Sequence, residues 1–192
     1  MVHADGGLGE VQSLSELVKM SDAIVVGTVT AARSSSLAPG LPDEAGTFLS
    51  TAYALEIQEV IVWPSSASPN PPAVEVELHG VGDHDRGDHV LRLVPERLRA
   101  LATGHRYLLF LKTYRLGRAE FAKSVWILAT GDGQSILEIK GNRNAPQASS
   151  GLALALAKMS SEELAVKIRE IRGGGGSEAT SPSQSTPRAA PR

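Results

Sequence analysis

The sequence predicts an α+β fold that is mainly β: a small OB-like barrel, closed or half-closed, with short helices and a C-terminal helix. Three observations predict it. Short apolar runs alternate with segments rich in Gly, Pro, Ser and Asp, which is typical of short strands joined by turns. The apolar phase slips inside the second predicted strand, as expected where a β-bulge turns a barrel corner. A helix is predicted just before the longest apolar run, which fits the five-stranded OB plan.

Length and composition indicate one domain with flanking segments. The 192 residues divide into a flexible N-terminal segment (1–12), a single domain (13–172) and a Gly/Ser/Pro-rich tail (173–192) that is expected to be disordered. Hydrophobic residues make up 42% of the chain and aromatics 4%, so the core must be built from Val, Leu, Ile and Ala. The absence of cysteine excludes disulfides and thiolate zinc sites.

The first elements follow from local patterns. Ser13 is expected to cap a helix over Leu14–Met20, with Glu16 completing a capping box. A strand over 23–32 follows, and its consecutive β-branched residues indicate a strand that is covered on both faces. Gly27 inside that strand predicts a bend or bulge.

The second strand, over 48–63, carries the phase slip. Tyr53, Leu55 and Ile57 alternate on one face, and then Val60 and Val62 take the opposite phase, which places a bulge near Glu59. A third strand is expected from alternating Val74, Val76 and Leu78.

The second half of the domain is predicted as strands followed by helices. We expect a charged turn region (80–88), a short strand (90–94), a helix starting at Pro95 (95–103) and a central buried strand (105–112). A hairpin around Gly131-Asp132-Gly133 (125–130 with 136–140) and a loop (141–151) should follow. The domain then ends with a helical segment (152–158) and a helix that Ser160 and Glu163 cap (160–172).

Several of these segments resemble a known group of proteins. The entry helix leading into SDAIVVGTVT (21–30), the bulged strand ending EVIVW (59–63) and GHRYLLFLK (104–112) are similar to uncharacterised bacterial, often exported proteins with a netrin-like or tissue-inhibitor-of-metalloproteinases-like OB-fold. The resemblance covers roughly 13–140 and implies an OB-type fold and export. It does not imply protease inhibition, because those inhibitors chelate zinc through an N-terminal cysteine and this chain has none.

A cluster of imidazoles and carboxylates is the candidate metal site. Three of the five histidines and three aspartates fall within 79–89, and these residue types are usual ligands for zinc or nickel. The alternative is a solvated polar connection, in which Asp and Gly are ordinary turn residues. The candidate ligands are His79, Asp83, His84, Asp85 and His89.

Two residues are candidates for partner binding. Arg86 begins an Arg-Gly-Asp tripeptide, although so short a motif also arises by chance. Trp63 precedes Pro64 at a strand end, a common position for a half-exposed anchor. Trp126 lies within an apolar strand and is expected in the core.

Other functional classes lack their signatures. There is no G-x-S-x-G elbow, no P-loop and no dinucleotide-binding motif after a strand. A net charge of −2 gives no general case for nucleic acid, although arginines in the middle of the chain keep single-strand binding by an OB face as an alternative.

The predicted function is a non-enzymatic module that binds another protein through loops at one barrel end (34–46, 64–72 and 80–89), with no cofactor. The alternatives are a zinc- or nickel-binding protein that uses the histidine loop, and a single-strand nucleic-acid binder. No membrane span is expected. If the chain is a trimmed mature form, we expect export to the periplasm or outside the cell, and otherwise a cytoplasmic location.

Overall fold

The computed structural model describes residues 11–36, 49–65, 73–79, 82–85, 90–93, 100–116, 123–130 and 133–174. These residues form nine strands and three helices. In chain order they are α1 (Leu14–Met20), β1 (Ala23–Ser36), β2 (Leu49–Val62), β3 (Ala73–His79), β4 (Gly82–Asp85), β5 (Val90–Leu93), β6 (Arg106–Leu116), β7 (Lys123–Leu128), β8 (Ile136–Lys140), β9 (Arg143–Pro146), α2 (Gly151–Ala157) and α3 (Ser161–Gly174).

Five strands close into a barrel. β1 pairs antiparallel with β2, β2 antiparallel with β3, β3 parallel with β7, and β7 antiparallel with β6. β6 pairs antiparallel with β1 and closes the ring, while β8 and β9 extend the sheet outside it. The prediction of a mainly β α+β fold around a small OB-like closed barrel is therefore confirmed.

The predicted hairpin around Gly131-Asp132-Gly133 is wrong. β7 and β8 do not pair with each other but lie end to end along one edge of β6. Phe110 marks the junction, because its C=O accepts from the N–H of Ala129 at 2.9 Å and its N–H donates to the C=O of Ser135 at 3.0 Å. The chain thus leaves the edge of β6 after β7 and returns to the same edge, instead of reversing direction.

Two more predictions need correction. The interval 80–88 was expected to be a turn region, but Gly82–Asp85 form β4, which pairs antiparallel with β5. The interval 141–151 was expected to be a loop, but Arg143–Pro146 form β9 against β8. The start of the helix expected from Pro95 lies outside the described residues.

The change of apolar phase predicted near Glu59 is present, and two β-bulges produce it. Register shifts leave Gln58 and then Ile61 as extra residues on β2 opposite β1. After the first shift Val60 packs with the barrel interior, and after the second Val62 packs outside while Trp63 returns to the interior. The predicted shared face for Val60 and Val62 is therefore wrong, because the second bulge changes the phase again.

The apolar residues form two clusters, one on each side of the barrel wall. The inner cluster fills the barrel and includes Val25, Tyr53, Leu55, Tyr107 and Leu109. The outer cluster lies between the wall and the helices and includes Leu17, Ile24, Val26, Phe110 and Ile168. Successive β1 residues thus alternate between the two clusters, so the prediction that β1 is covered on both faces is confirmed.

Gly27 lies where the backbones of β1 and β2 come close together. A Cβ at this position would lie 2.8 Å from the backbone oxygen of Glu56, a distance that a side chain could not tolerate. The register shift between Val26 and Gly27 occurs at the same place. The predicted bulge at this glycine is confirmed, and its cause is close backbone approach.

Both predicted N-caps are present, but only α3 has the predicted capping box, because the Glu16 carboxylate accepts from the N–H of Gln12 at 3.2 Å and not from that of Ser13. Ser13 Oγ accepts from the N–H of Glu16, and Ser160 Oγ accepts from the N–H of Glu163, both at 3.2 Å. The Glu163 carboxylate accepts in return from the N–H of Ser160 at 2.8 Å, which completes a capping box. Among the described residues, no helix has the length and apolar character that crossing a membrane requires.

The residues just before Ser13 already pack against the domain. Val11 is buried in the outer cluster, and the side-chain amide of Gln134 bonds its backbone on both sides. The N–H of Val11 donates to Gln134 Oε1 at 3.0 Å, and Gln134 Nε2 donates to the C=O of Val11 at 3.3 Å. Gln134 is fully buried, so this pair of bonds satisfies an amide that would otherwise be costly to bury.

Candidate functional site

The two tryptophans of the chain meet at one end of the barrel. The ring centroids of Trp63 and Trp126 are 5.2 Å apart and the ring planes are inclined by 41°. Both side chains are half-buried and pack against the inner cluster. Aromatic rings at this separation and inclination attract each other, so each ring holds the other in place.

Strand register explains why residues so distant in sequence meet. Ile24 pairs with Val62, so Trp63 lies one residue beyond, beside Ala23. Trp126 pairs with Thr113 on β6. The side chain of Asp22 accepts from the N–H of Thr113 at 2.8 Å, which ties the start of β1 to the strand that carries Trp126. We call this region, made of Trp63, Trp126 and the adjoining residues Ser21 and Asp22, the tryptophan end.

The last helix is fixed to the same end by two arginines. Arg169 Nη2 lies 2.6 Å from Glu59 Oε1, four residues before Trp63 on β2. Arg172 Nη2 donates to the C=O of Ser21. The C-terminal turn of α3 therefore lies beside the tryptophan end.

The opposite end of the barrel is closed by a turn. Leu101 is buried in the inner cluster, and the N–H of Ala102 donates to the hydroxyl of Tyr107 at 2.9 Å. The N–H of Gly104 donates to the C=O of Val29 at 2.7 Å, and Gly104 has a φ of +81°, which glycine adopts readily. We call this region, made of Tyr53, Tyr107 and the turn 101–105, the tyrosine end.

Burial raises the pKa of both tyrosines at this end. For Tyr53 the desolvation outweighs hydrogen bonds with the Leu101 backbone and the Thr51 side chain. For Tyr107 it outweighs the bond with the Ala102 backbone, and the charge of Glu138 raises the pKa further. Both hydroxyls are therefore neutral and act as hydrogen-bonding groups that hold the turn.

A histidine–glutamate pair lies at the edge of the tyrosine end. His105 Nδ1 is 2.6 Å from Glu138 Oε1, and the side chains are 50% and 11% exposed respectively. Lys140 Nζ lies 3.3 Å from Glu138 Oε2, and Gln147 Nε2 donates to the same oxygen at 3.4 Å. Burial raises the pKa of Glu138, but the hydrogen bonds with His105 and Lys140 outweigh it, so the pKa is lowered.

Our sequence reasoning missed this pair. Glu138 is the buried charged residue of a short, mostly apolar strand, Ile136–Lys140, and a buried carboxylate requires a partner. A carboxylate within an apolar strand was therefore the feature of the sequence that could have revealed the pair. The effect of the bond in this structure is to tie the turn 101–105 to β8.

The predicted metal ligands fall only partly within the described residues. The backbone of His79 ends β3, and those of Asp83, His84 and Asp85 lie in β4. His89 and the partner-binding candidate Arg86 lie outside the described residues. Where the structure describes the chain, no group of three or more metal-ligating side chains occurs. The metal site stays a prediction.

The three loops expected at one barrel end belong to two ends. Interval 37–48 joins the end of β1 to the start of β2, and Ser50 near that start pairs with His79 at the end of β3. Intervals 34–46 and 80–89 therefore begin at the same side, whereas 64–72 follows the far end of β2, at Trp63. The prediction of a common end is wrong, because successive connections in an antiparallel meander alternate between ends.

Trp63 is half-buried at the end of β2, which is the position predicted for it, and its role in partner binding stays a prediction. Trp126, which was expected in the core, is half-buried beside it. Neither a protein-family model nor a curated protein matches this chain, so the comparisons do not assign it to a family. The resemblance to netrin-like modules stays a prediction.

Proposed function

We propose that the protein is a non-enzymatic module that binds another protein through its tryptophan end. The observation that carries this proposal is the pair of half-buried tryptophans, 5.2 Å apart, at the mouth of a closed barrel. A chain with 4% aromatic residues and two tryptophans places both of them there, although the barrel interior is filled mainly by aliphatic residues.

The energetics of interfaces support this assignment. Tryptophan is among the residues that most often dominate binding free energy, and it does so where a rigid surface holds the ring and a partner completes its burial. Here the inner cluster packs against both rings on the barrel side. Little side-chain entropy is then lost when a partner covers the remaining surface, since the rings are already held.

The positions of the elements favour this end over the other. At the tyrosine end, Leu101 fills the barrel mouth and the hydroxyl of Tyr107 bonds the turn that covers it. At the tryptophan end the rings themselves lie at the rim, and the exposed Asp22 bonds the N–H of Thr113, the residue that pairs with Trp126. A partner would thus meet a large aromatic surface bordered by charge, which is the usual composition of an interface core and its rim.

The test compares binding by three forms of the full chain. Immobilised wild type, Trp63→Ser and Leu154→Ser are exposed to extract from the source cells, and retained proteins are identified and then purified. Leu154 is a control because it is a 48% exposed apolar residue on α2, which packs against β9 outside the five-stranded ring. Affinity for each purified candidate is then measured by calorimetry, and far-UV circular dichroism confirms that the variants are folded.

The expected result is a partner that binds wild type and Leu154→Ser alike but binds Trp63→Ser at least about 10-fold more weakly, equivalent to about 1.4 kcal/mol. A purified partner that binds all three forms equally would overturn the proposal, because the tryptophan end would then carry no binding energy. Binding of zinc or of an oligonucleotide that Trp63→Ser leaves unchanged would instead favour one of the alternative functions.

A further inference from the structure

α3 ends beside the tryptophan end, so the residues that follow the helix begin there. Arg172, in the last turn, donates to the C=O of Ser21, and Ser21 is two residues before Ala23, which lies beside Trp63. Strand spacing and rise put such neighbours on the order of 10 Å apart. The side chain of Arg169 adds a second attachment, to Glu59 on β2. The helix end is thereby held next to the tryptophan pair.

The sequence that follows α3 has one kind of bulky apolar residue. Residues 175–192 read GGSEATSPSQSTPRAAPR and contain Pro182, Pro187 and Pro191, with no Leu, Ile, Val, Met or aromatic residue. Arg188 and Arg192 each directly follow one of these prolines. Segments of this kind favour extended polyproline II conformations, which bind proteins by placing proline rings against aromatic side chains.

We propose that residues 177–192 dock on the tryptophan end of their own chain, with proline rings against Trp63 and Trp126. This inference deepens the proposed function and rests on it: the partner is then a protein with a proline-rich, basic segment, which must displace this internal one. The segment would set a threshold for partner binding, because a partner competes with a ligand that is always present.

Length and charge are compatible with this contact. From Gly174 to Pro182 the chain can extend about 26–29 Å at about 3.3–3.6 Å per residue, well beyond the short distance from α3 to the tryptophan pair. Gly175 and Gly176 directly follow α3 in the sequence, and glycine permits sharp backbone turns. The carboxylate of the exposed Asp22 accepts from the N–H of Thr113, which pairs with Trp126, so it offers a counter-charge to Arg188 or Arg192, whereas Arg172 places a cation at the same end.

Tethering makes even a weak contact effective. A short flexible connection gives an effective concentration of about 1 mM, so a segment with a Kd of about 0.1 mM would occupy about 90% of chains. A second molecule at micromolar concentration would occupy far fewer. Docking within one chain is therefore independent of protein concentration, and docking between copies is not.

The test measures how well the two tryptophans are shielded in the full chain. Acrylamide quenching of tryptophan fluorescence is compared between wild type and a variant with Pro182→Ala, Pro187→Ala and Pro191→Ala. A variant with Arg188→Ala and Arg192→Ala reports the contribution of charge. Trp63→Phe and Trp126→Phe, each made in wild type, assign the shielding to one ring or both.

The expected result is stronger quenching in the triple proline variant than in wild type, at every protein concentration. Adding about 1 mM of a synthetic peptide of residues 177–192 to the triple variant should restore the wild-type quenching, and a peptide with alanine at the three proline positions should not. Equal quenching in wild type and triple variant would overturn the proposal. A difference that disappears on dilution would overturn it in favour of a second copy as the occupant.

This outcome is separable from failure of the proposed function. If the segment does not dock but a purified partner still loses affinity for Trp63→Ser, the tryptophan end binds a partner of another class. If the segment docks and no partner depends on Trp63, the internal contact exists and the wider function fails.

Discussion

The two ends of the barrel are closed by different chemistry. At the tyrosine end, Leu101 enters the interior and the hydroxyl of Tyr107 bonds the backbone of the turn above it. At the tryptophan end, Trp63 and Trp126 pack against each other and against the interior while part of each ring stays accessible. One end is completed by its own turn, and the other presents aromatic surface.

This difference separates stability from binding. Hydrogen bonds to a buried turn are directional, so they hold it in one arrangement. The folded state is destabilised when one of the two bonded atoms is removed. Half-buried rings contribute to packing on one side and leave area for a ligand on the other. Substitutions at the tyrosine end should therefore change mainly the free energy of unfolding, and substitutions at the tryptophan end mainly affinity.

The largest expected effect is that of Leu101→Ala. The side chain is 4% exposed and packs in the inner cluster, so its truncation leaves a cavity and should lower the free energy of unfolding by about 2–5 kcal/mol. Urea unfolding measures the loss. Leu154→Ala is the matched control, since Leu154 is 48% exposed and should change stability by less than about 0.5 kcal/mol. Equal losses in the two variants would show that the turn does not close the barrel.

A smaller loss is expected for Tyr107→Phe. The ring still fills the interior, but the N–H of Ala102 loses its acceptor at 2.9 Å, which should cost about 1–3 kcal/mol. Urea unfolding again measures the loss, and faster hydrogen exchange at the amide of Ala102 locates it. Exchange that stays slow at Ala102 would mean that another group holds the turn, and the tyrosine end would then owe its closure to apolar contact alone.

The barrel wall could be predicted from sequence because burial on both faces leaves a local pattern. Ile24, Val25 and Val26 are all apolar, and the structure divides them between the outer and inner clusters. The slip near Glu59 was also visible, since the apolar phase changes there. The second bulge, at Ile61, was missed because too few strand residues follow it to show a second change of phase.

Pairing partners could not be predicted in the same way. The Gly-Asp-Gly sequence indicates a reversal, but a local turn signal does not specify whether the flanking strands pair with each other or with a third strand. Here both flanking strands pair with β6, and neither pairs with the other. The same reason explains the loops: which barrel end a loop belongs to depends on strand order, and not on its composition.

The candidate site was half predictable. Trp63 was found from its position before Pro64, but its contact with Trp126 joins β2 to β7 and has no local signal. Glu138 had a signal, because it is a charge in a short apolar strand. Its partner His105 lies 33 residues away, and the bond between them depends on the pairing of β6 with β8.

The smallest effect is expected from Glu138 and should appear as a pH dependence. The pKa of Glu138 is lowered in the folded protein, because hydrogen bonds with His105 and Lys140 outweigh burial. A carboxyl whose pKa is lower when folded binds fewer protons than in the unfolded chain, so its contribution is present above the unfolded pKa and is lost as pH falls through the folded one. As pH falls below the ordinary range of a glutamate pKa, we expect wild type to lose stability that Glu138→Gln does not lose.

The control for this experiment is Glu163→Gln. The pKa of Glu163 is also lowered, first by the bond with the Ser160 N–H, so this capping carboxylate adds its own acid dependence to wild type. Unfolding midpoints in urea are measured against pH for wild type, both single variants and the double variant. If the two effects are independent, they add. If Glu138→Gln keeps the full acid dependence of wild type while Glu163→Gln abolishes it, the helix cap and not the tyrosine end is the acid-sensitive part of the molecule, and ionisation of Glu138 adds nothing to stability.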